Sequence, residues 1–351
     1  MNRFVQVITG LACCAATLAF AATTVDDAAL SDLEQSENWL AYGRTYHEQR
    51  FSPLAQVSDQ NVQQLGVDWY LDLPNDRSLT GTPLVVDGTL YFNGSYNVIR
   101  AVDAKTGRLL WEYDPQVIEH AGERLRIMWD WNRGIAVWED KVITAPLDGR
   151  LIVTNKDSGE IEADIPVADP AVGEVLTAAP FVVKDIAITG VAGGEYGIRG
   201  WLNATDLAAG ERDWRTHTIP APGEPGSETW KPGPEPHSVD AWKHGGGSTW
   251  LNGSYDPDLN TIYWGTGNPA PDWDNAYRPG DNLYTNSVLA LDADTGAIMF
   301  TTSGTTSAPK FVLHPHRSNV NHAADVAADV SMSGSSATRV PAGAAFGGVG
   351  V

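Results

Sequence analysis

Four variants of one short phrase constrain the fold of this chain more than any other feature. They read Ala101-Val-Asp-Ala-Lys-Thr-Gly107, Val153-Thr-Asn-Lys-Asp-Ser-Gly159, Ala204-Thr-Asp-Leu-Ala-Ala-Gly210 and Ala290-Leu-Asp-Ala-Asp-Thr-Gly296. Each follows an apolar run such as Thr89-Leu-Tyr-Phe92 or Asp140-Lys-Val-Ile-Thr144. Each also ends in a polar turn that a glycine at positive φ can close. The closing glycines Gly107, Gly159 and Gly210 are spaced by about the length of one four-stranded blade, which predicts an all-β chain of β-propeller type. The last interval is longer because a Pro/Gly-rich insertion, 220–247, separates Gly210 from Gly296. Insertions of that kind gather on one face of a propeller, where binding sites are built.

The first 21 residues are set apart from the fold. Asn2-Arg3 makes a short positive start, residues 4–20 are largely apolar, and Ala19-Phe20-Ala21 is a small-x-small cleavage signal, so 1–21 reads as a secretory signal peptide. A periplasmic location is therefore expected. Both cysteines, Cys13 and Cys14, lie in that leader, so the mature chain has no disulfide and no Cys-x-x-Cys-His haem attachment site. No later apolar run is long enough to span a membrane. A formal charge of −21 argues against nucleic acid, whose phosphates need a basic surface. An acidic surface gives solubility and could also steer a basic protein partner.

Several motifs between the repeats narrow the class. They are Asn38-Trp-Leu-Ala-Tyr-Gly-Arg-Thr-Tyr-His-Glu48-Gln-Arg-Phe-Ser-Pro-Leu54, Asn132-Arg-Gly-Ile-Ala-Val-Trp138, Ala179-Pro-Phe-Val-Val-Lys184, Gly193-Gly-Glu195-Tyr-Gly-Ile-Arg-Gly200 and Gly265-Thr-Gly-Asn268. In this order, from about Trp39 to about Phe300, the chain resembles the N-terminal half of the pyrroloquinoline-quinone (PQQ) dependent alcohol dehydrogenases. That resemblance implies an eight-bladed propeller, of which about four blades are expected here. It also implies PQQ near the propeller axis, a calcium or lanthanide ion at the quinone, a small alcohol as substrate and a cytochrome c-type electron acceptor.

The resemblance extends to individual positions. Glu195 and Asn268 match the family's metal-binding glutamate and asparagine, the oxygen donors that a hard cation takes. Trp250, after Gly245-Gly-Gly-Ser-Thr249, matches the aromatic floor under PQQ, and Arg133 matches the cation that pairs with the cofactor's oxygens. Glu48, Thr177 and Ser248 match polar contacts at its rim, and Ala192, Gly193 and Gly194 match a backbone that approaches the ring edge. Taken alone, Glu195 reads as a solvated loop carboxylate, Asn268 as a turn residue before Pro269 and Trp250 as one of thirteen tryptophans that pack blade on blade. A propeller scaffold that binds envelope proteins is the alternative reading. It needs the repeated phrases but has no use for this set of residues.

Two departures from the family stand out. Many members carry two adjacent cysteines before the Asn-Arg-Gly phrase, whose disulfide ring lies against the second face of PQQ, whereas Ile127 and Met128 stand here, followed by Trp129. A methionine sulfur or an indole could cover that face instead. After Gly296 the family continues with its catalytic aspartate, but here 301–351 matches nothing and is rich in Ala, Ser, Gly and Val from Asn321 onward. Asp325 and Asp329 lie there outside any motif, so no catalytic aspartate is assigned. A changed reading frame or a truncated gene is the expected cause, and an open half-ring with uncovered blade faces the expected result.

Overall fold

The computed structural model describes residues 22–125, 129–301 and 311–313. Residues 1–21, expected to be a signal peptide, and the Ile127-Met128 positions lie outside them. Four antiparallel blades follow one another. The first comprises β1 (Leu84–Val86), β2 (Thr89–Asn93), β3 (Ile99–Asp103) and β4 (Leu109–Tyr113), hydrogen-bonded in that order. The second comprises β5 (Ala136–Trp138), β6 (Lys141–Thr144), β7 (Arg150–Asn155) and β8 (Ile161–Pro166), and the third β9 (Phe181–Val183), β10 (Ile186–Gly190), β11 (Trp201–Asp206) and β12 (Glu211–His217). The fourth has β13 (Ser254–Asp256), β14 (Thr261–Gly265) and β15 (Val288–Asp292), with β16 (Met299–Thr301) reached through a Leu291–Ile298 bridge. β16 also pairs with β17 (Phe311–Leu313), a strand inside the stretch that matched nothing in the sequence.

Burial follows position in the blade. The third strands β7 and β11 are buried at all but their last residue, because neighbouring blades cover both their faces. The outermost strands β4 and β8 are mostly exposed. One contiguous core runs from Leu84 and Ile99 through Ile143 and Leu151 to Trp201, Ile262 and Leu291.

The repeated phrases build the turns between third and fourth strands. Asp103 Oδ1 accepts from the backbone N (2.8 Å) and hydroxyl (2.7 Å) of Thr106, and Asp292 Oδ1 does the same with Thr295 (3.0 and 2.7 Å). Gly107, Gly159, Gly210 and Gly296 all have φ between 65° and 73°, the left-handed conformation expected of them. A bulge falls at the same phrase position in three blades, after Ala101, Val153 and Ala204.

These turns also lock blade to blade. The Trp111 indole of blade one donates to Lys156 O (2.8 Å) in the phrase of blade two, and Trp214 of blade three donates to Ala293 O (3.1 Å) in that of blade four. Trp69, ahead of blade one, donates to Ala104 O (3.0 Å). Each ring lies so close over the turn glycine that a Cβ at Gly107, Gly159 or Gly296 would meet it within 2.6 Å. The third copy differs. Ala163 takes the tryptophan's register position, opposite Val153 as Trp111 is opposite Ala101, and Ile165 approaches Gly210 instead.

In such a meander the connections alternate between the two ends of a blade. The glycine turns share one end with the first-to-second-strand turns. The longer second-to-third-strand and blade-to-blade connections share the other, and the candidate residues sit among those.

Candidate functional site

Loops at that second end enclose a cleft of about 260 Å³ lined by Trp129, Trp131, Arg133, Thr177, Ala192, Gly193, Glu195, Ser248 and Trp250. Seven of the ten residues named from the sequence therefore meet in one cleft. Gly194 stands immediately behind Ser248, at 3.4 Å from the serine Oγ for a Cβ built on it. Asn268 and Glu48 lie outside the lining.

Local structure explains each position. In the Asn132-Arg133-Gly134 phrase, Asn132 is 1% exposed and acts as a pin. Its Nδ2 donates to Ala145 O and Leu176 O (both 3.0 Å), and its Oδ1 accepts from Gly134 N (3.0 Å). The next side chain, Arg133, is thereby turned into the cleft. Its guanidinium carbon lies 4.5 Å from the Trp131 ring centroid and 4.6 Å from that of Trp250. Long hydrogen bonds run from Arg133 Nη1 to Thr177 O (3.3 Å) and Trp250 O (3.4 Å), and burial pushes its pKa down. No carboxylate pairs with it among the described residues. The Thr177 side chain is almost fully buried, and its Oγ1 has no hydrogen-bond partner there.

Trp250 is held by its neighbour Thr249, which is fully buried. The Thr249 N donates to Val191 O (2.8 Å) and its hydroxyl to Trp201 O (2.6 Å), while the hydroxyl accepts from Val191 N (2.8 Å). Gly190 must be glycine for this approach, since a Cβ there would meet Thr249 O at 2.0 Å. Trp250 itself is 39% exposed, which separates it from buried packing tryptophans such as Trp201 and Trp264.

Glu195 lies in a single 3-10 turn, Gly194–Tyr196, with Gly193 at φ 111° before it and Gly197 at φ 74° after it. Its carboxylate is exposed at the cleft. Asn268 caps the same region from the fourth blade: Gly247 N donates to Asn268 O (3.0 Å), and Gly246 backs both Gly194 and Asn268. The Asn268 Nδ2 is engaged by Asp272 (2.7 Å) and Pro269 O (3.3 Å), which leaves Oδ1 as the acceptor available to a cation. No group of three or more His, Cys, Asp or Glu side chains suited to a metal occurs among the described residues. A cation here would therefore take further oxygens from its ligands or solvent.

Glu48 occupies a separate loop, where Gly43 N donates to its Oε1 (3.0 Å). Glu48 and Arg50 both have positive φ, 52° and 55°. Burial pushes the Glu48 pKa up to about 7, against the opposing pull of the Gly43 hydrogen bond and of Arg50. The Arg50 guanidinium lies 4.0 Å over the Tyr42 ring, and Tyr42 is in turn an electrostatic neighbour of Arg133. The loop thus borders the cleft through Tyr42.

Of the two further cleft aromatics, Trp129 is the indole noted after Met128 in the sequence, and Trp131 was not named there. Trp131 stacks on Trp129 (centroids 5.8 Å, planes 22° apart), and Trp129 reaches Tyr196 (6.2 Å) beside Glu195. The signal was present in Trp129-Asp-Trp131, directly before the Asn-Arg-Gly phrase. The insertion at 220–247 forms an outer layer over this end, with Lys231 N donating to Pro279 O (3.1 Å) and Leu283 N to Thr229 Oγ1 (2.9 Å).

Aromatic walls, a cation without a carboxylate partner and a buried hydroxyl without a hydrogen-bond partner fit a flat, electron-poor anion. Residues 39–302 match the β-propeller domain described as glucose/ethanol/alcohol dehydrogenase, PQQ. The chain is 42% identical over 302 residues to quinohemoprotein alcohol dehydrogenase ADH IIB of Pseudomonas putida, covering 82% of this chain and 42% of that protein. Among solved structures, quinohemoprotein alcohol dehydrogenase ADHIIG of Pseudomonas putida HK5 superposes with a TM-score of 0.69 at 35% identity, over 83% of this chain and 48% of the other. A europium-containing methanol dehydrogenase superposes at 0.67 and 29% identity, over 80% and 55%. The chain thus spans about half the length of the relatives it matches.

Proposed function

This chain belongs to the glucose/ethanol/alcohol dehydrogenase β-propeller family of PQQ proteins, and we propose that its cleft binds PQQ beside a calcium or lanthanide ion for the oxidation of small alcohols to aldehydes. The observation that carries this reading is the convergence on one cleft of Arg133, the Thr177 hydroxyl that has no partner among the described residues, and the exposed Trp250. When bound, the quinone supplies a hydride acceptor whose carbonyl the cation polarises.

The chain's own residues bind and orient. Arg133 offers a fork of N–H donors to carboxylate or carbonyl oxygens, and Trp250 offers an aromatic floor. Thr177 and Ser248 supply hydroxyls, and Ala192, Gly193 and Gly194 leave the backbone open to close approach. Glu195 and the Asn268 Oδ1 are the two oxygen donors for the cation. Glu48 keeps its proton up to about pH 7, so its loop presents a neutral carboxyl that can donate to an anionic carboxylate. No described residue is assigned as the acceptor of the alcohol's proton. The leader expected at 1–21 supports a periplasmic site of action, and the likeness to a methanol dehydrogenase named for cytochrome c supports a cytochrome c-type protein as electron acceptor.

Equilibrium dialysis with PQQ, with and without calcium or lanthanum, tests this reading. One PQQ bound per chain, with cation dependence that Glu195→Ala abolishes, is expected. Absence of binding with either cation contradicts it. The loaded chain alone is expected not to reduce an artificial dye with ethanol, and steady dye reduction would reveal a proton acceptor within it.

A further inference from the structure

The Arg133 guanidinium stands 4.5 Å from the ring of Trp131 and 4.6 Å from that of Trp250. Two indoles thus share one planar cation, and both line the cleft. Trp131 is stiffened by its stack on Trp129, and Trp129 by its contact with Tyr196, so a continuous aromatic wall runs from Arg133 to the residue beside Glu195. The backbone beneath this wall is fixed as well, because Asn132, directly after Trp131, makes three hydrogen bonds of 3.0 Å in the interior. Trp131 itself is half-buried and belongs to no hydrophobic core cluster, so packing does not account for a residue of this size here.

Building on the PQQ reading above, we propose that Trp131, backed by Trp129, is a second aromatic plate of the cleft, facing Trp250 across a slot in which Arg133 stands until a flat polyanion enters. The slot is selective by chemistry. A guanidinium fits between indoles because it is flat and weakly hydrated. An electron-poor tricarboxylate gains the same aromatic faces and acquires Arg133 as a charge partner at its edge. A lone small anion gains the charge but not the plates.

Equilibrium dialysis of PQQ with calcium on the full chain, for wild type, Trp131→Leu, Trp131→Phe and Trp129→Ala, tests the plate, with melting curves of each variant as the folding control. Stacking of one ring is expected to be worth about tenfold in Kd, lost in Trp131→Leu and largely kept in Trp131→Phe, with a smaller loss in Trp129→Ala. Quenching of tryptophan emission by PQQ should fall in the same order. Trp131→Leu binding PQQ like wild type with an unchanged melt overturns the plate and leaves the PQQ reading standing. Wild type that binds no PQQ with calcium or lanthanum overturns both.

Discussion

At the turn end of the blades, the Asp103 and Asp292 carboxylates are met by Thr106 and Thr295, the closing glycines curl left-handed, and indoles seal the turn to the blade before. At the cleft end, Thr177 Oγ1 and Trp129 Nε1 have no partner among the described residues, Glu195 is exposed, and Arg133 rests on aromatic faces with no carboxylate among those residues. The same strands run between the two. The turn end is a structure that is complete without a ligand, because its donors and acceptors match one another. The cleft end keeps donors and acceptors in excess, which is costly in a folded protein unless something else satisfies them. That difference locates function more sharply than burial does, since both ends contain buried polar groups.

The largest expected effect tests the turn end. Gly159→Ala puts a Cβ 2.6 Å from the Trp111 ring at a φ of 73°, so it should cost about 3 kcal/mol of stability while leaving the affinity of folded protein for PQQ unchanged. Thermal unfolding and dialysis together read both quantities, and a loss of affinity without loss of stability would break the separation of the two ends. Arg133→Ala makes the converse cut. It should weaken PQQ binding by roughly thirtyfold, about 2 kcal/mol for a charge-assisted contact, with little change in melting because its own hydrogen bonds are long.

A pH series sharpens the comparison at the cleft border. The Glu48 pKa lies at about 7 in the fold against an ordinary 4.5, so between those values the unfolded chain binds fewer protons than the folded one. Stability should therefore fall as pH rises from about 4.5 to about 7 and stay lower above. Glu48→Gln, with no cofactor present, should raise stability at pH 8 by about 1 kcal/mol, the partial exposure of the group being allowed for, and change nothing at pH 4. Equal effects at both pH values would show that burial of the charge is not the cause. The last prediction is a control of similar size. Gly210→Ala shares the left-handed φ but its Cβ meets nothing nearer than Ile165 at 3.7 Å, so it should cost only about 1 kcal/mol. If it costs as much as Gly159→Ala, the indole seal contributes nothing.

The turn end is the more legible of the two in sequence because its chemistry is local. An Asp or Asn four residues before a glycine specifies its own hydrogen bonds, and the repetition supplies the blade count. The seal from Trp111 to Gly159 was hidden, since it joins residues of neighbouring blades that the turn phrase does not connect. The cleft residues were found through resemblance, and Arg133, Thr177, Glu195 and Trp250 do meet. Trp131 was missed because the family's motif begins with the next residue. Glu48 and Asn268 stand beyond the lining: Glu48 belongs to the segment before the first blade and is held there by Gly43, and Asn268 belongs to a long loop of the fourth blade and is held by Asp272 and by Gly247. The strand at Phe311–Leu313 was missed for want of a turn phrase after it.

The most direct test of the account is a crystal structure of the chain grown with PQQ and calcium or lanthanum. PQQ is expected in the cleft on Trp250, with Trp131 over its other face, Arg133 moved to its edge, and a cation at Glu195 and the Asn268 Oδ1. PQQ bound elsewhere, or a cleft in which Arg133 still stands between the two indoles in the presence of saturating PQQ, would contradict it.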